Sequence, residues 1–322
     1  MSPIGKRRLW VSLIAVGGLL MASDADAAIP KQETQALTDI HLRDPFVLPV
    51  ASEKTYYLFG TIFDLPGGPG FKAYRSHDLE RWHGPEAAFR RPASFGETRD
   101  FWAPEVFARD GRYYMFASLK HEGRRRGTQI LVADAPGGPY RPHSDGPATP
   151  AEWECLDGTL FVDAEGAPWL VFCHEWVQVR DGEICSVRLK DDLTGPAGKP
   201  TLLFRASAAR WTVEIGKEPR RGRVTDGPFL HRLSTGALAM LWSSFGKGGY
   251  ALAVAYSKSG KLEGPWTHPD EPLFVRDGGH AMLFRAFDGR LLAIFHAPNS
   301  GGRERPRLRE VREASGRLTL DE

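Results

Sequence analysis

Single ionisable residues recur along the sequence where a turn leads into an apolar run. Five such openings follow one another, at Asp44, Glu105, Asp157, Asp226 and His280. Carboxylates gathered in one partly dry pocket cannot all ionise easily, so their pKa values are driven apart. One carboxyl group can then donate a proton while another accepts one. The pattern therefore indicates general acid–base chemistry, provided that the fold brings the openings together.

Each opening begins a block of short β-strands separated by Asp-Gly and Gly-Gly turn signals. In the first block the apolar runs are 44–48, 55–61 and 71–76, and four later blocks repeat this order. A repeat with several strands per unit predicts a five-bladed β-propeller. A β-sandwich would also contain many short strands. It gives no reason for ionisable residues at one strand end, whereas a propeller gathers those ends at its axis.

Composition and charge agree with an exported all-β protein. The 322 residues include 11% aromatic residues, 35 Gly and 24 Pro, which favours short strands over long helices. Residues 1–27 combine Lys6-Arg7-Arg8, an apolar run and Ala25-Asp26-Ala27, a pattern typical of a secretory signal peptide. The apolar run is shorter than the ~20 residues that span a bilayer. We therefore expect residues 28–322 to form a single propeller catalytic domain, periplasmic or secreted.

Without residues 1–27 the chain carries 39 Lys plus Arg and 38 Asp plus Glu. This balance gives no reason to expect binding to nucleic acid or to an anionic membrane. We expect a monomer. Cys155, Cys173 and Cys185 lack a metal-ligand spacing, and either one disulfide with a thiol left over or three buried thiols would fit.

Aromatic residues near the openings would suit the faces of sugar rings, although most aromatic residues of such a chain pack between blades. The candidates are Phe63, Trp102, Trp153 and Phe245. A carboxylic acid that protonates a leaving oxygen, with a carboxylate that activates water, cleaves glycosidic bonds. The two groups lie ~6.5 to 9.5 Å apart in inverting enzymes and ~5 to 5.5 Å apart in retaining ones.

The openings carry the short motifs Arg43-Asp44-Pro45, Trp102-Ala103-Pro104-Glu105, Leu156-Asp157-Gly158-Thr159, Thr225-Asp226-Gly227-Pro228 and Gly279-His280. In order and spacing, over about residues 39 to 299, these motifs resemble those of the family 43 glycoside hydrolases. The resemblance implies a five-bladed propeller that hydrolyses α-L-arabinofuranosyl, β-D-xylosyl or sometimes galactosyl linkages with inversion. The expected partner is therefore a polysaccharide or oligosaccharide.

The resemblance also implies roles for the opening residues. Asp44 matches the general base, and Asp157 matches the residue that orients the acid and adjusts its pKa. Asp226 stands where the family usually has a Glu as general acid, so the side chain that donates the proton is shorter by the ~1.5 Å of one C–C bond. Glu214 or Glu175 could donate the proton instead.

The remaining opening residues have more than one interpretation. The family often places a His beside a central calcium ion, which makes His280 a candidate metal neighbour. A hydrogen-bonded His280 without metal fits equally, because calcium prefers oxygen ligands. Glu105 is expected to contact substrate or to serve the structure.

Two other functions fit parts of the sequence. A carbohydrate-binding propeller that has lost catalysis would explain Asp226 in place of Glu. Glu154-Cys155 resembles the acid motif of fructan-cleaving propellers, which also carry Arg-Asp-Pro. Those enzymes place Arg-Asp-Pro in a middle blade, whereas here it opens the first block.

Overall fold

The computed structural model describes Met1 and residues 34–62 and 68–321. In this part of the chain five antiparallel sheets surround one axis as the blades of a β-propeller, as predicted. The predicted signal peptide, apart from Met1, and the candidate Phe63 lie outside the described residues. No helix within the described ranges is long and apolar enough to cross a bilayer.

Each blade has four strands, and the first blade has a fifth. Blade 1 contains β1 (Thr34–Ala36), β2 (Arg43–Val50), β3 (Thr55–Thr61), β4 (Gly70–Ser76) and β5 (Arg81–Arg90). Blade 2 contains β6 (Arg99–Arg109), β7 (Arg112–Lys120), β8 (Gly127–Ala133) and β9 (Arg141–Pro142). Blade 3 contains β10 (Cys155–Val162), β11 (Pro168–His174), β12 (Glu183–Arg188) and β13 (Thr201–Arg205).

A hairpin separates blades 3 and 4, formed by β14 (Ile215–Lys217) and β15 (Arg220–Gly222). Blade 4 contains β16 (Asp226–Arg232), β17 (Leu238–Gly246), β18 (Gly249–Ser257) and β19 (Trp266–Thr267). Blade 5 contains β20 (Gly279–Arg285), β21 (Leu291–Ala297), β22 (Arg305–Ala314) and β23 (Arg317–Leu320). The helices are short: α1 (Trp176–Val179) and 3₁₀ turns at Leu37–Asp39, Ala51–Glu53, Ala93–Phe95 and Ala206–Ala208.

The core lies between neighbouring blades. The middle strands β3, β8 and β21 are buried along their whole length, because a neighbouring blade covers each face of the sheet. This burial explains why these strands are continuous apolar runs rather than alternating ones. The three cysteines lie in β10, β11 and β12 of blade 3 as free, buried thiols.

The innermost strand of every blade contains a β-bulge at the same place. In blade 1, Arg43 pairs with Thr61 and Phe46 with Phe59, so two residues of β2 oppose one of β3. The same shift occurs in β6, β10, β16 and β20. The second residue of each bulged segment has φ between 43° and 54°, a range that non-glycine residues seldom adopt. These residues are Asp44, Ala103, Asp157, Gly227 and His280.

This register corrects the prediction that five ionisable residues occupy equivalent positions. Asp44, Asp157 and His280 are equivalent, but Gly227 takes this position in blade 4 and Ala103 takes it in blade 2. The Asp226 side chain therefore extends from the residue just before the positive-φ position of its blade. Glu105 lies two residues later, at the level of Phe46.

We expect Gly227→Ala to destabilise the fold by roughly 1–3 kcal/mol, the usual cost of overpacking. Ala103 has φ 43° at the equivalent position, so the backbone conformation itself tolerates alanine. A Cβ on Gly227, however, would lie 2.7 Å from His280 Cγ. Urea unfolding should show the loss, with Ala103→Gly as the matched control at under about 1 kcal/mol. Equal effects of the two variants would contradict this steric explanation.

Candidate functional site

A pocket of about 390 Å³ opens at the axial end where the five bulges meet. It brings together Asp44, Asp157, Asp226, His280 and both aromatic candidates that the structure describes near it, Trp102 and Phe245. The other lining residues are Arg43, Thr61, Leu156, Glu175, Trp176, Ile215, Val224 and Asn299. The fold therefore assembles most of the residues that the sequence predicted.

Asp44 is held from several sides by hydrogen-bond donors. The Thr61 hydroxyl donates to its Oδ2 at 2.7 Å, and His280 Nδ1 lies 3.1 Å from its Oδ1. Burial by itself raises the pKa of a carboxyl group, but the charge and hydrogen bond of His280, with Arg43 and His296 adding less, outweigh it. The pKa of Asp44 is therefore well below its usual range, and Asp44 is an ionised carboxylate.

His280 lies between two carboxylates. Its Nδ1 is 3.1 Å from Asp44 Oδ1 and 3.7 Å from Asp157 Oδ2. Burial lowers the pKa of His280, but the facing charges of Asp44 and Asp157 exceed that effect and raise the pKa to about 10. The imidazolium consequently supplies a buried positive charge at the centre of the pocket.

Asp226 and Asp157 have raised pKa values, in contrast to the lowered pKa of Asp44. Burial, followed by the nearby charge of Asp157, raises the pKa of Asp226 to about 7. The Tyr250 hydroxyl donates to Asp226 Oδ2 at 3.0 Å. Burial also raises the pKa of Asp157, whose Oδ2 accepts the Gly227 amide at 2.9 Å. Asp157 thus fixes the backbone next to Asp226, and the pocket can hold one proton beside one carboxylate.

Aromatic side chains and an ion-pair network form the pocket wall. The Arg126 guanidinium lies over Trp102, 4.2 Å from the ring centroid. The same guanidinium pairs with Asp100 at 2.8 Å and with Glu175 at 2.5 Å. Trp176, at the start of α1, adds a second indole. Arg126 therefore fixes both an aromatic platform and a carboxylate of the wall.

Several candidates do not reach the pocket. Glu105 is buried beneath it, in the layer of Phe46, and its Oε2 has no hydrogen-bond partner. Trp153 stacks on His174 between blades, with ring centroids 4.2 Å apart. Glu214 pairs with Arg221 and Arg223 and is absent from the lining. Of the two substitute acids, only Glu175 lines the pocket, and its carboxylate is paired with Arg126.

Of the two interpretations of His280, the neighbouring calcium ion is not supported. Within residues 34–62 and 68–321 no group of three or more His, Cys, Asp or Glu side chains is arranged to hold a metal ion. The carboxylates nearest to His280 are already engaged with its Nδ1. The polar side-chain contacts that the structure shows for His280 are those of its Nδ1 with Asp44 and Asp157.

The structure adds residues that the sequence did not single out: Thr61, Tyr250, Trp176, His296 and Asn299. Thr61 and His296 occupy one register position at the end of the second strand of their blades, shared with Ser118, Cys173 and Ser243. Alignment of the five blocks at their second strands would have revealed this position. Tyr250 and Trp176 have no counterpart in the repeat.

Comparisons with known proteins agree with this geometry. The family model described as "Glycosyl hydrolases family 43" matches residues 36–315. A solved structure described as an endo-arabinase from Bacteroides thetaiotaomicron VPI-5482 is 43% identical, with a TM-score of 0.83. That alignment covers 88% of this chain and 98% of the other.

Two curated relatives are more distant. An extracellular exo-α-(1→5)-L-arabinofuranosidase of Cellvibrio japonicus is 26% identical over 293 residues, which is 85% of this chain and 76% of the relative. A xylosidase/arabinosidase of Humicola insolens is 31% identical over 81 residues, which is 24% of this chain and 23% of the relative.

We expect Glu105→Gln to change the pH dependence of stability. Burial raises the pKa of Glu105 from 4.5 to about 8. Because the folded pKa exceeds the unfolded one, the proton contributes stability that is complete below pH ~4.5 and lost as the pH rises through ~8. The loss approaches roughly 5 kcal/mol, since one pKa unit corresponds to about 1.4 kcal/mol. Glutamine does not ionise, so the Glu105→Gln variant avoids this loss of stability at high pH.

Urea unfolding at pH 5 and pH 9 measures this effect. Glu105→Gln should gain several kcal/mol relative to wild type at pH 9 and little at pH 5. The exposed substitution Glu80→Gln is the matched control and should show no such difference. A pH-independent difference between Glu105→Gln and wild type would contradict the protonated state of Glu105.

Proposed function

Because the chain belongs to family 43 of the glycosyl hydrolases and is thus a glycoside hydrolase, we propose that it cleaves α-L-arabinofuranosyl linkages with inversion. One observation carries the mechanism: a single pocket holds an ionised Asp44 and an Asp226 whose pKa is about 7. The first can take a proton from water, and the second can give one to the leaving oxygen.

In this mechanism Asp44 removes a proton from a water molecule as the water oxygen attacks the anomeric carbon. Asp226 transfers its proton to the glycosidic oxygen as the C–O bond breaks. The released sugar has the opposite anomeric configuration. Asp44 ends protonated and Asp226 ionised, and proton exchange with solvent restores both. Asp157 holds the Gly227 amide and thereby aims Asp226.

Asp226 serves as the acid in this proposal although the family usually has Glu there. Its hydrogen bond from Tyr250 fixes the shorter side chain, and the raised pKa keeps the proton available near neutral pH. Glu175, the alternative acid that lines the pocket, is paired with Arg126. These contacts favour catalysis over a binding propeller that has lost it.

The substrate class rests on the relatives. Two of them are described as an endo-arabinase and an exo-α-(1→5)-L-arabinofuranosidase, so we propose α-(1→5)-linked arabinan or its oligosaccharides. Trp102, held by Arg126, would carry a sugar ring. The signal-like residues 1–27 and the extracellular relative support action outside the cytoplasm.

A second candidate is β-D-xylosyl hydrolysis. The local match to a xylosidase/arabinosidase favours it, although that match spans only 81 residues. The two sugars are distinguished by assay rather than by the catalytic carboxylates, which serve both linkages.

We expect release of arabinose or arabino-oligosaccharides from arabinan, and cleavage of nitrophenyl α-L-arabinofuranoside in preference to the β-D-xyloside. Proton NMR of the first product should show the inverted anomer. Asp44→Ala should lower kcat by at least about 10²–10⁴-fold, the typical contribution of a general base. Retained configuration, or full activity of Asp44→Ala, would contradict the mechanism. Sugar binding without turnover on arabinan, xylan and all nitrophenyl glycosides would favour the binding propeller.

A leaving-group comparison identifies the acid. A nitrophenolate departs without protonation, so Asp226→Ala should lose much activity on arabino-oligosaccharides and far less on the nitrophenyl glycoside. Asp44→Ala should lose activity equally on both, because water must be activated in each case. Glu175→Ala is the matched control at the pocket wall and should show no leaving-group dependence. If Glu175→Ala shows that dependence and Asp226→Ala does not, Glu175 is the acid.

A further inference from the structure

The five bulges are tied to one another by a ring of hydrogen bonds between neighbouring blades. At three junctions, a hydroxyl at the end of the second strand accepts the amide of the positive-φ residue in the next blade. Thr61 accepts from Ala103 at 2.7 Å, Ser118 from Asp157 at 2.8 Å, and Ser243 from His280 at 2.8 Å. Each blade thus sets the backbone of its neighbour's bulge.

Two junctions use other acceptors. Cys173 occupies the hydroxyl position of blade 3, and a thiol is a weak acceptor. The Gly227 amide therefore donates to Asp157 Oδ2 instead, at 2.9 Å. At the junction that closes the propeller, from blade 5 to blade 1, the Asp44 amide donates to His296 Nδ1 at 3.2 Å.

The surroundings of His296 fix its tautomer. Its side chain is completely buried and does not line the pocket. An amide N–H at Nδ1 requires an unprotonated Nδ1, so the ring proton lies on Nε2, which faces Asn299 Oδ1 at 3.1 Å. Burial lowers the pKa of His296 to about 4, which agrees with a neutral ring. Asp44 Oδ1 is 3.5 Å from Nδ1, farther away than the amide.

The imidazole ring is also clamped by an aromatic neighbour. It stacks on Tyr250 with ring centroids 5.7 Å apart and an interplanar angle of 17°. The Tyr250 hydroxyl donates to Asp226 Oδ2. One stacked pair therefore contacts the backbone of Asp44 and the carboxyl group of Asp226.

We propose that His296 is a positioning residue for Asp44: its Nδ1 accepts the Asp44 amide and holds the positive-φ backbone that directs this carboxylate into the pocket. The inference rests on the proposed role of Asp44 as general base. A hydroxyl serves the equivalent bond at three other junctions, but only the ring also reaches Asn299 and stacks on Tyr250. The His296–Tyr250 pair thereby sets the separation between base and acid.

Variants at position 296 separate the functions of the ring. His296→Asn places an amide oxygen near the position of Nδ1 and keeps the acceptor. His296→Gln reaches Asn299 but offers nothing near the Asp44 amide, and His296→Phe keeps only the stacking. His268→Phe is the matched control, since His268 is a partly buried histidine of another cluster whose ring nitrogens have no partner.

We expect His296→Phe and His296→Gln to lower kcat on arabino-oligosaccharides by about 10²-fold, the effect of a small displacement of a catalytic group. KM should change little, because His296 does not contact the pocket. His296→Asn should recover at least tenfold of that kcat loss, and His268→Phe should keep wild-type kcat. Circular dichroism and thermal unfolding monitor folding of each variant.

Equal kcat for His296→Asn and His296→Gln would overturn the proposal, because the acceptor would then be irrelevant. This comparison stands even where His296→Phe fails to fold. If Asp44→Ala is inactive and folded His296→Gln is fully active, only the positioning role fails. If Asp44→Ala is itself fully active, the base assignment fails and this inference with it.

Discussion

A buried imidazolium between two carboxylates determines the charge of the whole pocket. His280 Nδ1 lies 3.1 Å from Asp44 Oδ1 and 3.7 Å from Asp157 Oδ2, and all three side chains are buried. The pair with Asp44 keeps that carboxylate ionised despite its burial. Asp226 lacks a comparable partner and faces the negative charge of Asp157, so its proton is retained to higher pH. The His280 cation therefore gives two buried aspartates different pKa values, low for Asp44 and raised for Asp226.

The charged side chains reach the pocket because every innermost strand contains a bulge. The positive-φ residue turns its side chain toward the axis, and three of the five blades use that position for an ionisable residue. Thr61, Ser118, Ser243 and His296 accept backbone amides of the next blade, Asp157 accepts that of Gly227, and these inter-blade hydrogen bonds hold the five bulges in place. Propeller closure and site geometry consequently depend on the same contacts.

The repeat and its strand order could be predicted from sequence, because middle strands buried on both faces leave continuous apolar runs. The outermost strands β9 and β19 have two residues each and leave no such pattern, and neither does the hairpin β14–β15. Most candidate site residues were found because each stands at a blade opening.

The prediction that the five openings are equivalent was wrong for blades 2 and 4, because it depended on the strand register. A motif such as Trp102-Ala103-Pro104-Glu105 does not reveal which residue takes the positive φ, and Glu105 was therefore expected two positions too close to the pocket. Tyr250 and His296 act on the site through one stacked pair that joins blades 4 and 5. Only the folded chain shows such a contact, because neither residue belongs to an opening motif.

The division of charge between Asp44 and Asp226 is tested most directly by carbon NMR titration of protein labelled at its aspartate carboxyl carbons, comparing wild type with Asp226→Asn. The account predicts a carboxyl group that titrates near pH 7 in wild type and is lost in Asp226→Asn, beside one that stays ionised throughout the acidic range. Because Asp157 and Asp226 interact, the apparent pKa belongs to the pair. A pocket whose carboxyl groups all titrate below pH ~5 would contradict the account.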